Sequence, residues 1–117
     1  MPRPIDLSSF HDKRGWLTVY DPANQDLPFI PKRVFWIWGV PKGAERANHS
    51  HETCSQIIIP IYGNFIIEIN NEKRYYLKGH SGLLVEPGHK IRLYGFSENA
   101  IALVLCDEEY NRERIKE

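Results

Sequence analysis

Cysteine is almost absent from these 117 residues, and the two present, Cys54 and Cys106, are too few for a disulfide framework. They read as reduced, buried thiols of a cytoplasmic protein. An excess of charge of one sign is also missing. Fifteen Lys+Arg balance fifteen Asp+Glu, which excludes the basic stripe of a nucleic-acid binder. No run approaches the roughly 18–20 apolar residues that span a bilayer. The opening MPRPIDLSSF lacks the apolar centre of a signal peptide, so no membrane partner is expected. Repeats and low-complexity tracts are absent, and the length suits one domain over residues 1–117. What remains is a neutral globular chain with 42% apolar residues, enough for a core.

Eight Gly and eight Pro punctuate short runs of β-branched and aromatic residues instead of collecting in a linker. The runs are 16–20, 34–38, 56–61, 64–69, 74–77, 82–86, 91–94 and 100–106. Turn formers such as Asn70-Asn71, Lys78-Gly79 and Pro87-Gly88 lie between them. Short strands at this pitch predict an all-β sandwich or barrel. Residues 65–69, followed by Asn-Asn and then 74–77, read as one hairpin. After residue 106 the acids Asp107-Glu108-Glu109 open either a short C-terminal helix reaching Arg114 or a solvated tail.

Chemistry concentrates between Gly39 and Gly63. His49 and His51 are two apart, so an extended backbone points both imidazoles to one face. Imidazole moves protons near neutral pH or binds a transition metal. The bland alternative is a pair of structural histidines satisfying backbone groups. Cys54 lies close by and reads as a small buried residue.

Gly43, His49, His51, Gln56 and Gly63 fall in the series G-x5-H-x-H-x4-Q-x6-G. It resembles the first motif of the cupin superfamily, with Gln where metal-binding members carry Glu. Gly82 to His89 resembles the second motif, with His89 only two residues past Pro87. The resemblance implies a double-stranded β-helix, the cupin jelly-roll barrel. A neutral amide at Gln56 and the displaced His89 make a poor set of metal ligands. No metal and no cofactor are therefore expected.

The chain is also similar, over nearly its whole length, to the sugar-nucleotide 3,4-ketoisomerases. Asp12-Lys13-Arg14-Gly15, Lys32 to Gly39, Arg46 with His49-Ser50-His51, Gln56, Gly82 to Pro87 and Cys106 to Arg112 carry this likeness. It implies a homodimer that moves a ketone from C4 to C3 of a nucleotide-linked 4-keto-6-deoxyhexose through an enediol. His49 and His51 would exchange protons at the two carbons. Arg46 would face the enediolate charge. Arg14 and Arg33 would hold the pyrophosphate. Trp36, Trp38, Gln56, His89 and Tyr94 complete the expected substrate contacts. Where the family carries tyrosines near 35–37, this chain has Phe35 and Trp36. Two alternatives are a non-catalytic sugar-nucleotide binder and a metal-dependent cupin enzyme in which His49, His51 and His89 converge.

Overall fold

The structure, a computed structural model, describes residues 2–116. Each apolar run becomes a strand, and the strands form two five-stranded antiparallel sheets facing one another across the core. The first sheet has the order β1 (Arg3–Ile5), β9 (Gly82–Val85), β6 (Gln56–Tyr62), β11 (Ile101–Cys106), β4 (Arg33–Ile37). The second runs β12 (Ile115–Lys116), β5 (Arg46–His51), β10 (Ile91–Tyr94), β7 (Asn64–Ile69), β8 (Lys73–Lys78). A separate hairpin joins β2 (Ser8–Asp12) to β3 (Gly15–Val19). The all-β class that the strand spacing predicts is observed, in the jelly-roll form that the cupin resemblance implies.

Alternation decides what each strand buries. In the first sheet Phe35, Val104, Ile58 and Leu83 stand side by side in one cross-strand row that faces the core. Arg33, Cys106, Gln56 and Val85 form the next inward row. The second sheet answers with Phe65, Ile67, Ile69, Ile91 and Leu93, all buried in the same cluster. The outer face of the first sheet is also apolar. Ile57, Ile59, Leu84 and Leu105 are covered there by Leu7, Tyr20, Leu27 and Phe29, which the segment before β4 lays across it. The Tyr20 hydroxyl donates to the Phe29 carbonyl at 2.9 Å and fastens that cover.

Turns follow the expected residues. Asn70 and Asn71, at φ of 53° and 60°, close the β7–β8 hairpin in the left-handed region that asparagine tolerates. Gly63, the last position of the His-containing motif, has φ of 72°. A Cβ there would lie 2.3 Å from Ser97 Oγ, so only glycine fits between β6 and β7.

Two elements differ from expectation. Neither a regular C-terminal helix nor a free tail follows β11. A three-residue 3-10 helix, Arg112–Arg114, is capped by Asn111 Oδ1, and the chain then adds β12 to the edge of β5. Asp107 and Glu108 bond to the segment at 53–55 instead of to a helix terminus. Asp107 Oδ1 accepts from the Ser55 N–H at 2.9 Å, and Glu108 accepts from the Thr53 hydroxyl at 2.7 Å.

The second is a β-bulge in β5. Leu93 pairs with Arg46 and Ile91 with His49, two residues of β10 against three of β5. Ala47 and Asn48 absorb the extra residue at φ of 70° and 67°. Residues 46 and 49 differ by an odd number and would face opposite sides of a regular strand. The bulge turns both inward.

An Asn48→Val variant tests this. Asn48 is exposed, so valine should remove no packing but should destabilise the fold by about 1–2 kcal/mol through its aversion to positive φ. Asn48→Gly should remain close to the parent. Urea midpoints of the three proteins are the measurement.

Candidate active site

The inward rows converge where the two sheets part, between the edge strand β4 and the bulged strand β5. Arg33, Phe35 and Ile37 line one wall of a cavity of about 260 Å³, and Arg46, Ala47 and His49 line the other. Gln56, Ile58, Ile91, Leu93 and Val104 form its floor. The floor is mostly hydrocarbon while the rim carries cations and an imidazole, the usual composition of a small-molecule site.

His51 stands beside His49 on β5, with ring centroids 5.0 Å apart and planes at 72°. His49 Nδ1 and His51 Nε2 are buried and have no hydrogen-bond partner among the described residues. An unmet buried polar atom costs about 1–3 kcal/mol, so these two nitrogens are available to water or to a ligand's polar atoms. Burial holds the His51 pKa below the ordinary histidine value. The neighbouring His49 and Arg33 push it down further, and Glu108 opposes them. These influences favour the neutral form of the His51 imidazole.

The charges are unevenly partnered. Asp12 holds Arg14, and Glu108 holds Arg114. On the outer face of the second sheet, Glu68 binds both Arg74 and Arg92, and Arg92 also reaches Glu45 at 2.7 Å. Arg33 and Arg46, the two cations on the cavity walls, hold no carboxylate among the described residues. The Arg33 guanidinium instead lies over two rings, 4.6 Å from the Phe35 centroid and 4.8 Å from that of Tyr110. The wall of a chain with no net charge is thus locally positive and open to an anion.

Comparison with known proteins agrees with this geometry. Residues 2–117 match the family model described as FdtA: WxcM-like, C-terminal. This chain belongs to that family. A TDP-4-oxo-6-deoxy-alpha-D-glucose-3,4-oxoisomerase of Aneurinibacillus thermoaerophilus is 26% identical over 116 residues, spanning 92% of this chain and 79% of the relative. A solved 3,4-ketoisomerase from Helicobacter canadensis superposes with TM-score 0.90 at 25% identity, covering 97% of this chain and 88% of that one. The sugar 3,4-ketoisomerase of Thermoanaerobacterium thermosaccharolyticum, solved in complex with TDP, gives TM-score 0.88 at 30% identity, covering 97% and 85%. A dTDP-4-dehydrorhamnose 3,5-epimerase of Bacillus anthracis, at 17% identity and TM-score 0.79, shares the fold.

Of the residues expected at the site of this family member, the structure brings Arg33, Arg46, His49 and Gln56 to one cavity, with His51 against His49. Gln56 Nε2 donates to Cys106 Sγ at 3.6 Å, because the two are row neighbours. Trp36 is not at the cavity, since β4 turns Arg33 and Phe35 inward and alternation sends Trp36 to the outer face, 60% exposed. Trp38, just beyond β4, is likewise exposed. Tyr94 lies outside as well, under Arg92 at 4.1 Å, because Ile91 and Leu93 take the inward positions of β10. Arg14 sits at the tip of the β2–β3 hairpin, claimed by Asp12.

His89 turns its Nδ1 to the Glu86 carbonyl at 3.0 Å. The three histidines of the metal-dependent alternative therefore do not converge, and no three His, Cys, Asp or Glu side chains among the described residues could hold a metal ion. Phe35, Glu108 and Tyr110 join the neighbourhood without having been singled out. The i, i+2 relation of Phe35 to Arg33 was one signal, and the family likeness of Cys106 to Arg112, which contains Glu108 and Tyr110, was another. Cys54 is buried as expected and shares the core cluster with Cys106. The Cys54 thiol, with the Gln56 amide and Arg33 assisting, draws the Cys106 pKa below the usual thiol range.

The His51 environment gives a testable sign. A histidine with a lower pKa in the fold binds fewer protons there than when unfolded. Its contribution is intact above the unfolded value of about 6.5 and is lost as pH falls below it. Urea titrations from pH 7.5 to 5 should show the parent losing more stability than a His51→Asn variant over that window.

Proposed function

We propose that the protein moves a keto group between C4 and C3 of a nucleotide-linked 4-keto-6-deoxyhexose, with His49 and His51 as the acid/base pair. The observation that carries this is the meeting at one cavity of His49, with His51 against it, each with a buried ring nitrogen that has no partner among the described residues, and of two arginines without carboxylate partners among those residues. The named activities of the family relatives support the same reaction.

The chemistry follows from the geometry. One imidazole takes the proton from C3, and the C3–H electron pair becomes the C3=C4 bond as charge moves onto the C4 oxygen. Arg46 faces that developing oxyanion across the cavity. Transfer of the hydroxyl proton from O3 to O4 and return of a proton at C4 complete the exchange, so nothing is oxidised or reduced overall. Both steps need proton carriers effective near neutral pH at adjacent carbons, and rings 5.0 Å apart supply them. No metal or cofactor enters any step. The cavity, about 260 Å³, falls below the roughly 300–1,000 Å³ usual for a whole ligand. It suits the hexose, leaving the pyrophosphate at the rim beside Arg33.

The enzyme is further proposed to act as a homodimer. Every residue of β2 is exposed, and Phe10, Trp16 and Leu17 on the hairpin are 59, 71 and 60% exposed. A two-stranded hairpin with solvent on both faces is marginal on its own. Trp36 and Val34 form a second apolar surface along β4, an open sheet edge of the kind that proteins cover. A second copy supplies a partner for both. The free, buried thiols Cys54 and Cys106 support a cytoplasmic location.

Incubation with TDP-4-keto-6-deoxyglucose in deuterium oxide, followed by NMR, tests the reaction. The parent should give the 3-keto isomer with solvent deuterium at C4. His49→Asn and His51→Asn should each lose about 10²–10⁴-fold in rate while remaining folded. Turnover retained in both variants would remove the assignment, and binding without any exchange would favour a non-catalytic sugar-nucleotide binder. For the assembly, light scattering should give twice the 13.7 kDa chain mass for the parent and a monomer for Trp16→Glu/Leu17→Glu. A monomeric parent would refute the dimer.

A further inference from the structure

The C-terminal segment, residues 107–116, leaves β11 at the end of the inward row Arg33–Cys106–Gln56. It is bonded to its surroundings on both sides of Tyr110. Before it, the Asp107 N–H donates to the Ser55 carbonyl at 3.1 Å and Glu108 accepts from Thr53 Oγ1. After it, Asn111 caps the 3-10 turn, the Glu52 N–H donates to the Arg114 carbonyl at 2.8 Å, and Ile115 pairs with His51. Tyr110 between these anchors has little freedom to move away. Tyr110 is 55% exposed, and its ring packs against the Arg33 guanidinium, as does that of Phe35.

An arginine on a cavity wall with no carboxylate partner has a long side chain to immobilise, an entropic cost at the moment a ligand binds. Aromatic faces hold a guanidinium in plane while leaving its edge N–H groups free to donate. A carboxylate would hold it equally well but would occupy those donors.

We infer that Tyr110 is a positioning residue of the substrate site: with Phe35 it clamps Arg33 in plane so that the guanidinium edge meets the diphosphate of the nucleotide sugar. This rests on the function proposed above. The clamp belongs to binding and not to proton transfer, because the Tyr110 ring packs on Arg33 and makes no ring contact with His49 or His51 among the described residues. The hydroxyl is dispensable in this role and the ring is not.

The clamp predicts a split between kinetic parameters. Tyr110→Ala should raise KM for TDP-4-keto-6-deoxyglucose and weaken Kd for TDP alone by about 5- to 20-fold, the scale of one lost cation–aromatic contact. Its kcat should stay within about twofold. Tyr110→Phe should restore both constants to within about twofold of the parent. Unchanged KM and Kd in Tyr110→Ala would overturn the inference. So would a fall in kcat and thermal stability with Kd for TDP intact, which would mark Tyr110 as structural only. Failure of the parent itself to bind TDP or turn over the sugar would overturn the proposed function, and the clamp with it.

Discussion

Strand parity governs this molecule, and a single extra residue in β5 adjusts it. Arg46 and His49 both face the core because Ala47 and Asn48 take left-handed conformations and let three residues of β5 oppose two of β10. A regular strand would have left Arg46 outside, beside the Glu68–Arg92 network. The opposite wall needs no such device. Arg33, Phe35 and Ile37 are spaced by two and turn inward together, which sends Val34 and Trp36 outward with equal necessity. The cavity is where the bulged strand of one sheet meets the regular edge of the other.

Parity also sorts the charges. On the outer face of the second sheet, the cross-strand row Arg92–Glu68–Arg74 places opposite charges side by side, and Arg92 and Arg74 hold the Glu68 carboxyl below its usual range. On the inner face Arg33 and Arg46 meet hydrocarbon, imidazole and aromatic rings. A chain with zero formal charge thus presents a positive site, because no carboxylate among the described residues pairs with Arg33 or Arg46. After burial and His49, the same Arg33 charge also lowers the His51 pKa, so the residue proposed to meet the diphosphate also favours the neutral form of the proposed base.

Much of the fold was legible. The eight apolar runs are strands, Asn70-Asn71 turns a hairpin, and the His-x-His pair faces inward, all from period-two alternation and turn chemistry. The tryptophans were harder to place. Trp36 and Trp38 have the right residue type for stacking on a base, but only the identity of the inward register shows that they lie outside. Tyr94 lies outside that cavity for the same reason. His89 is near the His51 backbone, whose carbonyl accepts from the Gly88 N–H at 2.8 Å, yet its ring turns to Glu86. Proximity in the chain trace did not imply convergence of side chains.

The family pattern and the alternating apolar runs are written locally, so the sequence by itself determined the all-β class, the histidine pair, and Arg33 and Arg46 as candidate cations. Each of those depends on spacings of a few residues. The tertiary structure decided which face of each strand is the inner one, how the bulge reconciles Arg46 with His49, and that Tyr110 returns to Arg33 from the far end of the chain. The physical reason is range. Alternation says that neighbouring residues differ in side, but only the packing of two sheets selects which side is buried. A contact between residues 33 and 110 exists only once β11 has paired with β4 and carried the C-terminal segment to it.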